Sequence, residues 1–115
     1  MRIDPDAGVF YLSGGFMLGA DSIDPATQPA ALSVGSYAVR LPAGSFFKVK
    51  DGYVYQKTVD GIFLCIFIKF TTTPSRYVLL ANRTGGTLTG TTNPMPVTLT
   101  VGDNSGSTLM NATVD

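Results

Sequence analysis

The sequence predicts an all-β fold, an antiparallel β-sandwich or flattened barrel of about eight or nine strands. Three observations carry this. Strong helix formers are scarce, with glutamate absent and threonine, valine and glycine plentiful, and β-branched and aromatic residues suit a pleated surface. Apolar residues recur in short alternating runs rather than at sustained helical spacing. Gly, Pro, Asn and Asp fall between those runs, where turns require them.

The first strand runs from Val9 to Leu18, with Phe10, Leu12, Phe16 and Leu18 on one face. Gly14-Gly15 interrupts it as a bulge or a close backbone approach. After a loop with Asp24-Pro25 and Pro29 come a strand over Ala31–Val34, a turn at Gly35-Ser36, and a strand through Tyr37, Val39 and Leu41 that Pro42-Ala43-Gly44 ends. Two back-to-back hairpins occupy residues 46–71. Phe46–Lys50 meets Tyr53–Thr58 across Asp51-Gly52, and that strand meets Ile62–Thr71 across Asp60-Gly61. Asp-Gly between alternating runs is a strong hairpin signal, because a type I′ turn needs φ > 0 at both central residues. Thr72–Arg76 turns into a strand at Tyr77–Ala81, and a Thr/Gly loop over Thr84–Thr92 leads to Asn93-Pro94. The last hairpin pairs Val97–Val101 with Ser107–Val114 across Asp103-Asn104-Ser105-Gly106.

The chain repeats itself faintly. Pro29-Ala30-Ala31-Leu32-Ser33-Val34-Gly35 returns as Pro96-Val97-Thr98-Leu99-Thr100-Val101-Gly102. Phe10-Tyr11-Leu12 matches Tyr77-Val78-Leu79 at the same offset, and Asp24-Pro25 finds an echo in Asn93-Pro94 two residues off it. Two readings stand: related halves over about residues 9–41 and 76–115 flanking the central hairpins, or a chance likeness of valine-threonine strands. At 115 residues the whole chain, 1–115, reads as a single domain with room for a real core.

Two-residue turns pair Lys50 with Tyr53, Lys48 with Tyr55 and Phe46 with Lys57, and on the next strand Tyr55 with Ile66 and Tyr53 with Ile68. One face of the central hairpins then carries Tyr53, Tyr55, Leu64, Ile66 and Ile68, rimmed by Lys48, Lys50 and Lys57. The other carries Phe47, Val49, Val54, Phe63, Cys65 and Phe67, and is the expected core. An apolar patch with a polar rim suits an interaction surface, and aromatics are enriched there. The alternatives are that other strands of the chain cover this face, or that its tyrosines stack on a sugar or base. A one-residue slip in either turn exchanges the two faces.

Composition narrows the chemistry. Charged residues are 14% of the chain and balance to zero, against about 25% in an average soluble protein, and a weakly charged neutral protein tends to associate. Basic residues are too few and too scattered for a nucleic-acid footprint. With no histidine, the usual general base and commonest metal ligand are missing. The single cysteine, Cys65, has no partner for an internal disulfide and no histidine to activate it, so it reads as a core residue. Asp4 with Asp6, Asp21 with Asp24, and Asp103 with Asn104 offer oxygen ligands for calcium, yet none has the spacing of a calcium loop, and turn roles explain them equally well. Thr84-Gly85-Gly86-Thr87 lacks the lysine of a phosphate loop. No cofactor is expected. The N-terminus has no apolar run, and Ile62–Ile68 is far shorter than the ~20 residues of a membrane helix. The location expected by default is cytoplasmic, or extracellular if the chain is cut from a longer protein.

Leu12-Ser13-Gly14-Gly15-Phe16, Leu32-Ser33-Val34-Gly35, Pro42-Ala43-Gly44-Ser45-Phe46 and above all the stretch from Asn93 to Gly106 carry a resemblance over nearly the whole chain. They resemble bacterial β-rich domains of unknown function, common in environmental sequences and found in extracellular multi-copy proteins. A free-standing copy looks like an integron-cassette protein. The unusually apolar Ile62–Ile68 departs from that pattern, and the resemblance implies no activity.

The function expected is therefore a non-catalytic structural or interaction module, self-associating into a homo-oligomer through the central hairpins, with no nucleic-acid or membrane partner. A small-ligand or carbohydrate-binding sandwich is the first alternative, and an aspartate-based hydrolase with two facing carboxylates is the second.

Overall fold

Each alternating strand has one apolar side to hide, and the chain hides them by laying two sheets face to face. A computed structural model describes residues 1–18, 23–72, 76–88 and 93–114. Its strands are β1 (Arg2–Asp4), β2 (Val9–Met17), β3 (Ala30–Val34), β4 (Tyr37–Leu41), β5 (Phe47–Val49), β6 (Gly52–Val59), β7 (Ile62–Phe70), β8 (Arg76–Thr84), β9 (Met95–Val101), β10 (Asn104–Met110) and β11 (Thr113–Val114). A seven-stranded sheet has the order β11-β1-β2-β8-β7-β6-β5, and a four-stranded sheet the order β10-β9-β3-β4. All neighbours are antiparallel except β1 and β11. The fold is a β-sandwich, not a closed barrel. Phe10, Leu12, Ile66, Ile68 and Leu79 of the large sheet and Leu32, Val97, Leu99 and Val101 of the small one are buried completely or nearly so.

The turn chemistry explains most registers. Asp60 (φ 54°) and Gly61 (φ 78°) make the expected two-residue turn, with Val59 opposite Ile62, Tyr55 opposite Ile66 and Tyr53 opposite Ile68. Three details differ from expectation. The β5–β6 turn is Lys50-Asp51 rather than Asp51-Gly52, so Lys48 faces Tyr53. Gly52 lies inside β6, where a Cβ would collide with the Ile68 carbonyl, so glycine serves close approach rather than the turn. Gly14 and Gly15 pair in unbroken register with Leu79 and Val78, so there is no bulge; Met110 and Arg76 occupy the space their side chains would take. The last hairpin turns at Gly102-Asp103, with Val101 opposite Asn104.

The short strands β1 and β11 complete the large sheet. Asn93 fastens the segment between β10 and β11, donating from its amide nitrogen to the Ala112 carbonyl (3.1 Å) and accepting from the Ala112 N–H (3.0 Å). Of the segments expected from sequence, residues 73–75 of the turn before β8 and residues 89–92 of the Thr/Gly loop lie outside the described residues, as does Asp21.

The pairing registers repeat at the offset of the sequence echo. Leu32 faces Leu99 and Ser13 faces Leu80, in each case 67 residues apart. Gly35 N–H donates to the Pro96 carbonyl (2.9 Å) and Gly102 N–H to the Pro29 carbonyl (2.8 Å), the same bond read from either side. Arg2 and Ile3 meet Tyr11 and Phe10 as Lys69 and Phe70 meet Val78 and Tyr77. Val34 meets Tyr37 as Val101 meets Asn104. The strands β1–β4 and β7–β10 thus share one pattern of pairing registers at that offset.

Candidate functional site

The face expected to meet a partner is the inner face. Tyr53, Leu64, Ile66 and Ile68 are buried beneath the small sheet of the same chain, and Tyr55 is half-buried. Lys48 and Lys50 are exposed at the margin with Lys57, so the lysine rim exists while the patch it was to enclose is core. The reason is that strand alternation says which residues share a face, not which face the second sheet covers. Both faces here are apolar enough to be covered. Phe47, Val49, Val54, Phe63, Cys65 and Phe67, the expected core, point outward; Phe47 is 56% exposed and the other five are half-buried. Phe47, Val54, Phe67 and Leu80 line up as one row across β5, β6, β7 and β8.

Of the expected residues, Tyr55, Leu64 and the rim lysine Lys57 lie in a concave site. The seven-stranded sheet is wider than the four-stranded one, and β6 and β5 run on beyond the edge strand β4. Under that overhang lies a cleft of about 710 Å³, walled by Tyr37, Val39 and Leu41 on one side and Tyr55, Lys57 and Leu64 on the other. The turn Pro42–Ser45 roofs it. Gly44 takes φ 87°, as the third residue of a type II turn must, and Ser45 donates from its N–H (3.2 Å) and hydroxyl (2.6 Å) to the Pro42 carbonyl. The turn delivers Phe46 to the core, where its ring packs on Tyr55 at 5.8 Å between centroids. A shallower hollow of about 350 Å³ on the other side of β4 shares Arg40, Leu41 and Pro42 with the cleft.

Among the described residues the opposite edge of the sandwich is packed shut, and equivalent positions explain the difference. The matching registers place Asn104, Gly106 and Thr108 where β4 has Tyr37, Val39 and Leu41. A Cβ on Gly106 would collide with the Met17 carbonyl, so β10 packs directly on the end of β2, and Met110 fills the space above Gly14. The bulkier β4 side chains hold their edge open.

Two tyrosines line the cleft, and a buried cation lies against the ring of one of them. Burial raises the Tyr55 phenol above its ordinary value of 10.0, and Tyr37 nearby raises it further. Tyr37 packs edge-on against Phe10 at 5.8 Å, and the Arg83 guanidinium lies over its ring, 4.7 Å from the centroid. Arg83 is 3% exposed; its Nη1 donates to the Gly8 carbonyl (2.8 Å), while its Nε has no hydrogen-bond partner among the described residues. Arg40, Lys57 and Asp60 stand on the cleft wall. Arg83 escaped the sequence reading although alternation marks it: Tyr77, Leu79, Ala81 and Arg83 share the buried face of β8.

The remaining candidates are in local structure. Asp4 accepts the Ala7 N–H (3.3 Å), and Asp24 accepts the Thr27 hydroxyl (2.9 Å) in a turn that Gln28 closes. Among the described residues no three His, Cys, Asp or Glu side chains gather as a metal site would require. Cys65 is on the outer face of β7, where burial raises its thiol pKa. No protein-family model, curated protein or solved structure matches the chain.

Proposed function

We propose that this protein is a non-catalytic binding module that holds a small ring-bearing molecule, a carbohydrate foremost, in the cleft beneath β4. One observation carries the reading: a cleft of about 710 Å³ is lined by two tyrosines, Tyr37 and Tyr55, with Arg40, Lys57 and Asp60 around them. Small-molecule sites fall at about 300–1,000 Å³ and combine apolar and aromatic walls with a few polar groups. Tyrosine suits both needs, offering a ring face for stacking and a hydroxyl for hydrogen bonding. The roof turn and the Phe46 anchor hold Tyr55 in place before any ligand arrives, which lowers the ordering cost of binding.

The test is a titration of isotope-labelled protein with 4-nitrophenyl β-D-glucoside, followed by amide NMR. Shifts should gather on Tyr37, Val39, Tyr55 and Leu64, and disappear in Tyr55→Ala with the oligomeric state unchanged. Shifts confined to the outer face, around Phe67 and Leu80, would sink the reading.

Self-association is the second reading, favoured by the outer row Phe47–Val54–Phe67–Leu80. The row runs to the edge strand β5, so a second copy meeting it would cover both side chains and unpaired backbone. The zero formal net charge sets up no overall repulsion between copies. Sedimentation equilibrium decides it: a dimer that Phe67→Lys dissociates supports the reading, and a monomer at all concentrations removes it.

A further inference from the structure

Resting on the cleft reading, we infer that the ligand held there carries an anionic group, a carboxylate or phosphate, and that Arg83 is part of what selects it. Arg83 is the residue the fold itself explains least. A guanidinium cannot shed its proton and carries five N–H donors. Removing it from water is costly unless a counter-charge and hydrogen bonds replace the solvent. Here the replacement is incomplete: one carbonyl, one ring face, an orphaned Nε, and no carboxylate paired with it among the described residues.

Its place gives the unbalanced charge a use. Tyr37, whose ring lies against the guanidinium, lines the cleft. Leu64, the cross-strand neighbour of Arg83 on the buried face, lines it too, as does Ile62 beyond. The cation therefore sits one side chain behind the wall, in surroundings of low polarity where its field is weakly screened. On the wall itself Arg40 and Lys57 outnumber the one carboxylate, Asp60. Three cations around one hollow, the buried one least screened, concentrate a positive potential inside it, and such clefts raise the local concentration of oppositely charged ligands. A purely structural Arg83, tying the Gly8 turn to β8, would instead be indifferent to ligand charge.

The matched probes are 4-nitrophenyl β-D-glucuronide and 4-nitrophenyl β-D-glucoside, which differ by a carboxylate on the same ring system. Dissociation constants come from NMR titration at low and high salt. The glucuronide should bind about tenfold more tightly at low salt, with the gap narrowing as salt screens the charge. Arg83→Met should narrow it as well, while Arg83→Lys, which keeps the charge, should preserve most of it. Arg40→Gln with Lys57→Gln, both on exposed side chains, should also reduce it, so the charge argument stays testable if Arg83→Met does not fold. Equal affinities at the cleft would overturn the anion inference and leave the cleft reading standing. A folded Arg83→Met with an unchanged preference would remove Arg83 from it. Cleft signals that stay still with both probes would overturn the cleft reading and this inference together.

Discussion

Val39 and Gly106 occupy equivalent places in the two halves of the small sheet, each facing inward opposite a leucine, Leu32 and Leu99. One edge of the sandwich is open and the other shut largely because these two residues differ in size. On Gly106 a side chain would strike the Met17 carbonyl and press on Leu18. Gly106→Val should therefore cost about 1–3 kcal/mol, the usual penalty of overpacking a filled interface. Thermal unfolding followed by circular dichroism measures it. A melting temperature equal to the parent would mean that β10 can move off β2, and that glycine is not what closes this edge.

The Asp60-Gly61 turn makes a second, cleaner case for backbone control. Gly61 has φ 78° and open space where a Cβ would be, so Gly61→Ala meets no neighbour and bears only the penalty of the left-handed conformation. Destabilisation of about 1–2 kcal/mol is expected in denaturant unfolding. Asp60→Asn, a residue that tolerates the same φ, should leave stability nearly unchanged.

These two sites also show what was legible in the sequence and what was not. Asp60-Gly61 could be read because a turn needing φ > 0 twice names its own residues, and the pairing of Tyr55 with Ile66 follows from it. The offset joining Leu32 to Leu99 could be read for the same local reason, a Gly turn after a short strand. Which face of β6 and β7 lies inside could not, because Phe47, Val54 and Phe67 alternate as regularly as Tyr53, Ile66 and Ile68 do. That choice is made by where β3, β4 and β9 land, a non-local matter. The cleft is hidden for a related reason: it exists only because β6 and β5 extend past β4. The strand β11 reaches β1 through the Thr113 N–H to Met1 carbonyl bond (2.9 Å), across almost the entire chain, with no turn to announce it.

The orientation of the central strands predicts opposite outcomes for neighbouring residues. Ile66 is fully buried and Phe67 half-exposed. Ile66→Lys places an ammonium group between the sheets without a partner and should abolish cooperative folding. Phe67→Lys places the same charge on the outer face and should leave a folded protein within about 1 kcal/mol of the parent, the range expected away from core and special sites. Near-ultraviolet circular dichroism separates the two. A folded Ile66→Lys beside an unfolded Phe67→Lys would mean the sheet is the other way round.

The alkaline limit of stability follows from Tyr53 and Tyr55. Burial raises both phenols above the ordinary 10.0; Asp24 and then Tyr77 add to the effect at Tyr53, and Tyr37 adds to it at Tyr55. A raised value means the folded state holds its proton more tightly than the unfolded chain does. The sign is then set: stability from these groups is full below pH 10, falls once the unfolded tyrosines begin to ionise, and is lost as pH rises through the folded values. Denaturant midpoints measured across the alkaline range should decline from about pH 10 upward, and Tyr53→Phe should soften the decline. Tyr53 is the sharper probe because it is buried and, among the described residues, its hydroxyl reaches only the Ile23 carbonyl at 3.5 Å, so removing that oxygen forfeits little. A decline as steep in Tyr53→Phe as in the parent would place the alkaline sensitivity elsewhere, with Tyr55 the next residue to replace.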